Sequence, residues 1–316
     1  MFNATTVIID AFVRELVSRY VTTLGEDRPE IELISANARN ALEIIANSDA
    51  PYHDINHTIM VTMVGTEILR GKILMEGSVT KHEWVHFVIS LLNHDIGYVR
   101  GICRGDKDGR YITSIKNETI EPPAGSTDAA LTPYHVDRAK LFIKERFEKD
   151  DRIDETMICE YIERTRFPLP NAEDHLGTAD FPGLLRAADL IGQLGDPQYH
   201  RKISALFQEF QETNQAEKMG YRNAAELREG YPQFFWKMVA PYIKDGIMFL
   251  RRTQEGQKWV AHLYANVFSV EHTEPAYGPE RQVENDTGID RKSISEDLVG
   301  ENHLRSMKAE AQENSL

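Results

Sequence analysis

Thr80–Gly97 reads TKHEWVHFVISLLNHDIG. Thr80 and Glu83 stand three apart, the spacing of a capping box in which each side chain meets the other's backbone N–H, so a helix begins here. Trp84, Val88 and Leu91 recur at helical spacing and form an apolar stripe. The next position on that stripe is Asp95, with His94 beside it, and Gly97 ends the helix. A carboxylate at the end of an apolar face must be paired, protonated or bound to a cation, because an unpaired buried charge is very costly. A cap on a neighbouring helix or an ion pair with an Arg would satisfy it as well as a metal would.

The same period runs through most of the chain, without a run of alternating strands and without an internal repeat, so the fold class is all-α. Helices are expected at about 1–24, 30–46, 54–70, 80–96, 134–148, 154–165, 181–194, 199–215, 223–229 and 231–264, with Pro241 breaking or bending the last. The first buries Ile8, Phe12, Leu16 and Tyr20. Between Gly101 and Pro133 lies a polar stretch whose Asp108-Gly109 pair suits a small hairpin, and a loop that long has a task or is mobile. Residues 1–271 read as a single helical domain with a metal core at about 50–200, and 272–316 as an acidic, disordered or loosely docked tail.

Fifty acidic against 36 basic side chains give a charge of −14, which opposes nucleic acid as a partner. No stretch is apolar for the roughly 20 residues a bilayer crossing needs. Cys103 and Cys159, the two cysteines of the chain, are too few for a disulfide framework or a cysteine zinc site, and a reducing cytoplasm is the expected location.

Tyr52-His53-Asp54-Ile55-Asn56-His57 sets two imidazoles four apart at a helix start, on one face that continues inward as Val61, Val64 and Ile68. Alone, such a pair is as well explained by capping or a solvated face as by a metal. Asp180 caps and Pro182 starts a helix with apolar Leu184, Leu185, Ala188 and Ile191, and Asp189 lies within that run, with Gln193 one turn on. A buried salt bridge would also account for Asp189. Taken together, two His and two Asp at the inward faces or ends of helices are a ligand set for a divalent metal, and Asp95 could bridge two ions about 3.5–4 Å apart. His82 and His86 form another such pair without a clear carboxylate.

His57, His94-Asp95 and Asp189, in that order, resemble the H…HD…D signature of the HD superfamily of metal-dependent phosphohydrolases. In finer detail the chain resembles the class I cyclic nucleotide phosphodiesterases over about residues 50–245. Tyr52–His57 is similar to their YHNxxH element, His94-Asp95-Ile96-Gly97 to their second metal motif and Ala188-Asp189-Leu190 to their third. Leu206–Gly220 is similar to the segment after the metal Asp, and Phe234–Pro241 to the run lining the base pocket. The resemblance implies an HD-domain helical bundle in which His57, His94, Asp95 and Asp189 hold the tighter metal, with Asp95 also reaching a second. It implies His53 and Asp95 as catalytic residues, with His53 the general acid toward the leaving sugar oxygen. His135 resembles the His that follows the first HD helix in HD-GYP hydrolases, which makes it a candidate for the second metal or for support of the first, while a cap or a surface position also accounts for a lone His at a helix start. Tyr98 stands where the phosphodiesterase pattern carries a further His. The base-clamping Gln of that pattern falls near Tyr231, with Gln233 two positions on. The HHE motif of HD-GYP enzymes is absent, since Glu163-Arg164-Thr165-Arg166-Phe167-Pro168 stands there.

The expected function is therefore metal-dependent hydrolysis of a phosphoester, a cyclic nucleotide phosphodiester attacked by a metal-bound hydroxide. An HD nucleotidase or nucleoside triphosphate hydrolase, and a non-catalytic metal- or nucleotide-binding scaffold, are the alternatives. The cofactors are one or two divalent ions among Fe, Mn, Zn and Mg, which mixed His and carboxylate sets accept alike. Gln193, Tyr231, Gln233 and Phe234 are the candidate substrate contacts, with Arg100 for the phosphate; Arg104, Lys107 and Arg110 follow it on the same loop, and a solvated loop explains these four cations as well as a phosphate does. The partner is a small nucleotide or phosphoester, and a homodimer is the candidate assembly.

Overall fold

The computed structural model describes residues 3–114, 116–168, 170 and 175–272; the expected acidic tail lies, beyond His272, outside the described residues. The chain is an all-α bundle. In order the helices are α1 (Ala4–Leu24), α2 (Arg28–Ile45), α3 (Ile55–Glu76), α4 (Lys81–Asn93), α5 (His135–Phe147), α6 (Glu155–Glu163), α7 (Phe181–Leu194), α8 (Tyr199–Glu212), α9 (Gln215–Lys218), α10 (Ala224–Phe234), α11 (Ala240–Leu250) and α12 (Gln254–Glu271). Side-chain caps set many of the starts: Asn3, Asp54, Thr80, Asp154, Asp180, Asn223 and Thr253 each accept a first-turn N–H. The capping box of Thr80 and Glu83 is complete.

Three expectations need correction. The helix expected at 199–215 breaks at Asn214, whose φ of 56° is left-handed, and α9 follows. The helix expected at 231–264 is divided among four segments. α10 runs on to Phe234, a π-helical turn covers Phe235–Val239, and α11 starts with Pro241 in its first turn. Proline lacks the N–H an α-helix needs and crowds the carbonyl four residues back, so the turn before it widens. Thr253 then caps α12, and Gly256 touches the Leu250 carbonyl so closely that a Cβ there would lie 2.0 Å from its oxygen. In α1, Ile9 takes the buried place expected of Ile8, which is 47% exposed.

One hydrophobic cluster draws residues from α1 through α12. At its centre α3 packs along α7, with α4 and α11 against both. The contact depends on Gly192, where a Cβ would stand 2.7 Å from Val61 Cα and 2.9 Å from Val61 N on α3. α4 is buried on every side from Trp84 to Asn93 rather than along one stripe.

The long connection between α4 and α5 is ordered around two arginines. Arg138, fully buried, donates to the carbonyls of Gly97, Val99 and Ile112 and to both Asp106 oxygens. Asp108 and Gly109, both with positive φ, close a tight turn between Lys107 and Arg110. Two short antiparallel strands follow, β1 (Tyr111–Ile112) and β2 (Thr119–Ile120). Arg100 donates to the carbonyls of Ser126 and Thr127, and its Nε lies 3.1 Å from Asp128 Oδ1. The connection ends in a 3-10 helix, Asp128–Tyr134, that runs straight into α5.

Gly192→Ala is expected to force α3 and α7 apart and to destabilise the fold by about 1–3 kcal/mol, the usual cost of overpacking. Thermal unfolding measures it; an unchanged melting temperature would mean that the two helices do not meet at this glycine.

Candidate metal centre

Asp54 Oδ1 accepts the N–H groups of Asn56 and His57, at 2.9 and 3.0 Å, and so fixes the first turn of α3 with His57 in it. His53 therefore precedes the helix and does not share its face, although the two imidazoles lie 5.2 Å apart, centre to centre. What holds His53 is Glu209 of α8. One Glu209 oxygen accepts the backbone N–H of Tyr52 and of His53, and the other lies 2.5 Å from His53 Nδ1.

α4 stops at Asn93, so Asp95 is not the next member of its apolar stripe. His94 caps the helix and donates Nδ1–H to the Leu91 carbonyl at 2.8 Å, which leaves its Nε2 lone pair free. Asp95 opens a short 3-10 turn, Ile96–Tyr98, that passes beneath α5. Gly97 permits the passage, since a Cβ there would lie 1.9 Å from the His135 carbonyl oxygen. Asp189 sits in the middle of α7, partly open to solvent, among Leu184, Leu185, Ala188 and Ile191.

These three regions converge. His57 Nε2 lies 3.1 Å from Asp95 Oδ2 and 3.4 Å from Asp189 Oδ1; His94 Nε2 lies 3.0 and 3.5 Å from the same two oxygens. His57 Nε2, His94 Nε2 and Asp95 Oδ2 are buried and make no hydrogen bond, so all three face the same small space without a hydrogen-bonded partner. Metal–nitrogen and metal–oxygen bonds of about 2.1 Å place neighbouring ligands about 3.0 Å apart in an octahedron and about 3.4 Å apart in a tetrahedron. The donor set fits a divalent cation. Among the described residues the groups able to hold one are His57, His94 and Asp189, and His53, His57 and Asp95, both at this place.

Burial opposes charge on all four side chains, and their mutual attraction overcomes it. His57 and His94 are pushed up by Asp95 and Asp189, and the two carboxylates are held below their ordinary range by the imidazoles. A cation and those protons compete for the same lone pairs.

The second oxygen of Asp95 faces His135, whose Nε2 is 3.8 Å from Oδ1. His135 Nδ1 donates to the Thr132 carbonyl at 2.6 Å, and burial holds the ring neutral, below the ordinary imidazole range. Tyr98 lies between His53 and His135, its ring stacked on both.

The residues expected to meet substrate are placed differently. Arg100 is committed to the loop, Arg104 to Glu145 and Glu148, and Arg110 to Thr119. Tyr231 is buried in a ring cluster with Tyr199, His200 and Phe235, Phe234 meets Phe167, and Gln233 faces solvent. Gln193 is half-buried one turn past Asp189. Among the described residues no hydrogen bond or ring contact joins these four directly to the ligand residues. Of the second His pair, His86 donates Nδ1–H to the His82 carbonyl and accepts the Asp154 N–H at Nε2, so both its nitrogens are used in the fold. Glu209 is the member of the site that sequence reading missed. Its signal is a carboxylate within the apolar face Tyr199, Ile203, Leu206 and Phe210.

Burial pushes the His53 imidazole down, and Glu209, backed by Asp95 and Asp189, outweighs it and lifts His53 to about 9. Because that value lies above the unfolded one of about 6.5, the stability it contributes is complete below about pH 6.5 and is lost as pH rises through about 9. Glu209 is held below its ordinary range, so its share is lost as pH falls through its folded value. In metal-free protein, Glu209→Gln should bring the NMR titration of the His53 ring down toward the ordinary imidazole range and flatten the alkaline fall in stability. A titration that does not move removes Glu209 from this role.

No curated protein matches this sequence. The family model described as Npun_R2479-like matches residues 2–273, the greater part of the 316-residue chain, and the chain belongs to the Npun_R2479-like family.

Proposed function

We propose that this protein is a metal-dependent phosphoester hydrolase of the HD type, acting on a small substrate with an alkoxide leaving group, a cyclic nucleotide phosphodiester foremost. The observation that carries the reading is the pairing of a ligand cluster with a separate acid. Polar atoms of His57, His94 and Asp95, buried and without a hydrogen bond, meet Asp189 of α7 at one point, and His53, held by a buried glutamate, stands beside them. A binding scaffold needs the first feature and has no use for the second.

When bound, a divalent cation supplies Lewis acidity and lowers the pKa of water. His57, His94, Asp95 and Asp189 would hold it. Asp95 offers Oδ2 on that side and Oδ1 toward neutral His135, so a second ion would find its protein ligands there. His53 Nδ1 is fixed on Glu209, and its other nitrogen carries the proton for the leaving oxygen. The water oxygen bonds to phosphorus and gives up a proton to solvent, the ester P–O bond breaks, the departing alkoxide takes the His53 proton, and His53 regains a proton from solvent, so that one water is consumed per ester. Glu209 keeps His53 protonated at neutral pH and turns that nitrogen toward the centre.

A charge of −14 keeps nucleic acid out of the reading and suits a small diffusible substrate in the cytoplasm. Arg100, being spent on the loop, does not enter as a phosphate ligand.

Asp95→Ala is expected to abolish both metal content and hydrolysis. His53→Ala should keep the metal and lose about 10²–10⁴-fold on a cyclic nucleotide, far less on an activated aryl phosphodiester. Elemental analysis and steady-state kinetics over a panel of cyclic and linear nucleotides measure this. Equal losses on the two ester types would remove His53 as the acid. A metal-loaded wild type inactive across the panel would sink the hydrolase reading.

A further inference from the structure

Tyr98 occupies an unusual place beside the centre. Its ring is parallel to His53 on one face, at 4.5 Å and 13°, and to His135 on the other, at 4.6 Å and 23°. It is 2% exposed. Its backbone N–H is bonded to the Asp95 carbonyl at 3.1 Å, so the stack is tied to the same turn that presents the Asp95 carboxylate. Its hydroxyl meets the Thr132 side chain. Thr132 in turn donates its own hydroxyl to the Ala129 carbonyl and accepts His135 Nδ1 on its backbone oxygen.

Among the described residues each imidazole is hydrogen-bonded at one nitrogen: His53 on Glu209, His135 on Thr132. One hydrogen bond fixes one atom of a ring and leaves the plane free to tilt about that atom. Where the other nitrogen points then depends on what lies against the ring faces. Tyr98 lies against one face of each.

We infer that Tyr98 is a positioning residue: its ring fixes the planes of His53 and His135 together, so that the free nitrogen of each is held toward Asp95. This rests on the hydrolase reading above and extends it to a residue that touches neither metal nor leaving group. Tyr98 acts through its two neighbours, and the aromatic face does the work rather than the hydroxyl.

The test uses the full chain with Tyr98→Phe, which keeps the ring, and Tyr98→Leu, which removes it; Tyr98→Met replaces the latter should it fail to fold. In metal-free protein the imidazole C–H resonances of His53 and His135 carry the ring-current shift of Tyr98. They should stay in place in Tyr98→Phe and move together in Tyr98→Leu. With metal bound, Tyr98→Leu should lose about 10- to 100-fold on a cyclic nucleotide, the scale of an ångström-sized misplacement. It should lose no more than about threefold on an activated aryl phosphodiester, where little acid assistance is needed. Tyr98→Phe should remain within about threefold of wild type on both esters. Equal losses on the two esters, a Tyr98→Phe as poor as Tyr98→Leu, or imidazole resonances that ignore the loss of the ring would each overturn the inference while wild-type turnover leaves the hydrolase reading standing. A wild type that cleaves neither ester overturns both.

Discussion

Two carboxylates, Asp95 and Asp189, are brought to the same pair of imidazole nitrogens inside a water-poor bundle, and their repulsion must be answered by positive charge. At an effective dielectric of about 20, two like charges a few ångströms apart cost several kcal/mol, which a marginally stable fold does not carry unanswered. Protons on His57 and His94 answer it, and under the proposed function a divalent cation does so with better geometry. The packing around the site is arranged so that neither carboxylate can retreat. Gly192 lets α7 lie against the backbone of α3, Gly97 lets the Asp95 turn slide under α5, and α4 has no solvent face along which to shift. A cation that neutralises this cluster would stabilise the folded state as well as act in it.

α8 contributes a second constraint through two carboxylates three residues apart. Glu209 gathers the Tyr52–His53 backbone and the His53 ring, and Glu212 accepts the Thr127 N–H and hydroxyl at the start of the 3-10 helix that carries Thr132. One helix face thus sets both ends of the His53–Tyr98–His135 stack. The long connection after α4 finds its task here: Arg138 and Arg100 tie it down so that its last turn delivers Thr132 and His135 beside Asp95. Of the basic residues that sequence leaves open between a phosphate contact and a solvated loop, Arg100 is spent on the Ser126 and Thr127 carbonyls and Asp128, and Arg104 on Glu145 and Glu148.

What was legible in the sequence was whatever depends on local chemistry. Caps at Asp54, Thr80 and Asp180 fix where α3, α4 and α7 begin, and those starts place His57 and Asp189. What was not legible depends on contacts across the chain. His53 and Asp95 lie beside His57, His94 and Asp189, yet not as members of helical faces. His53 is held from 156 positions away by Glu209, and Asp95 by a turn whose path is set by Gly97 against α5. The break of the last long helix was half legible, since Pro241 announces a disturbance but not a π-helical turn, and nothing nearby announces the stop before Thr253. Position in a resembling pattern does not report that Tyr231 lies among the rings of Tyr199, His200 and Phe235, that Phe234 meets Phe167 or that Gln233 faces solvent.

The histidines of this chain show why spacing alone is a poor guide to a ligand. An imidazole can coordinate when one nitrogen is anchored as a donor, the other is left with a lone pair, and a carboxylate shares the space that lone pair faces. His94 meets all three conditions, with Leu91 as anchor and Asp95 as neighbour. His135 meets them through Thr132 and Asp95. His86 fails the second, because the Asp154 N–H takes its lone pair and turns it into a cap for α6. His200 fails the third: Nδ1 is buried without a partner, but its ring neighbours are Tyr199 and Tyr231, and burial, helped by the charge of Arg228, pushes the ring toward its neutral form without supplying a counter-ligand. The i,i+4 spacing is common to the His53/His57 and His82/His86 pairs. The anchored donor and the waiting carboxylate, rather than the spacing, set His94 and His135 apart from His86 and His200.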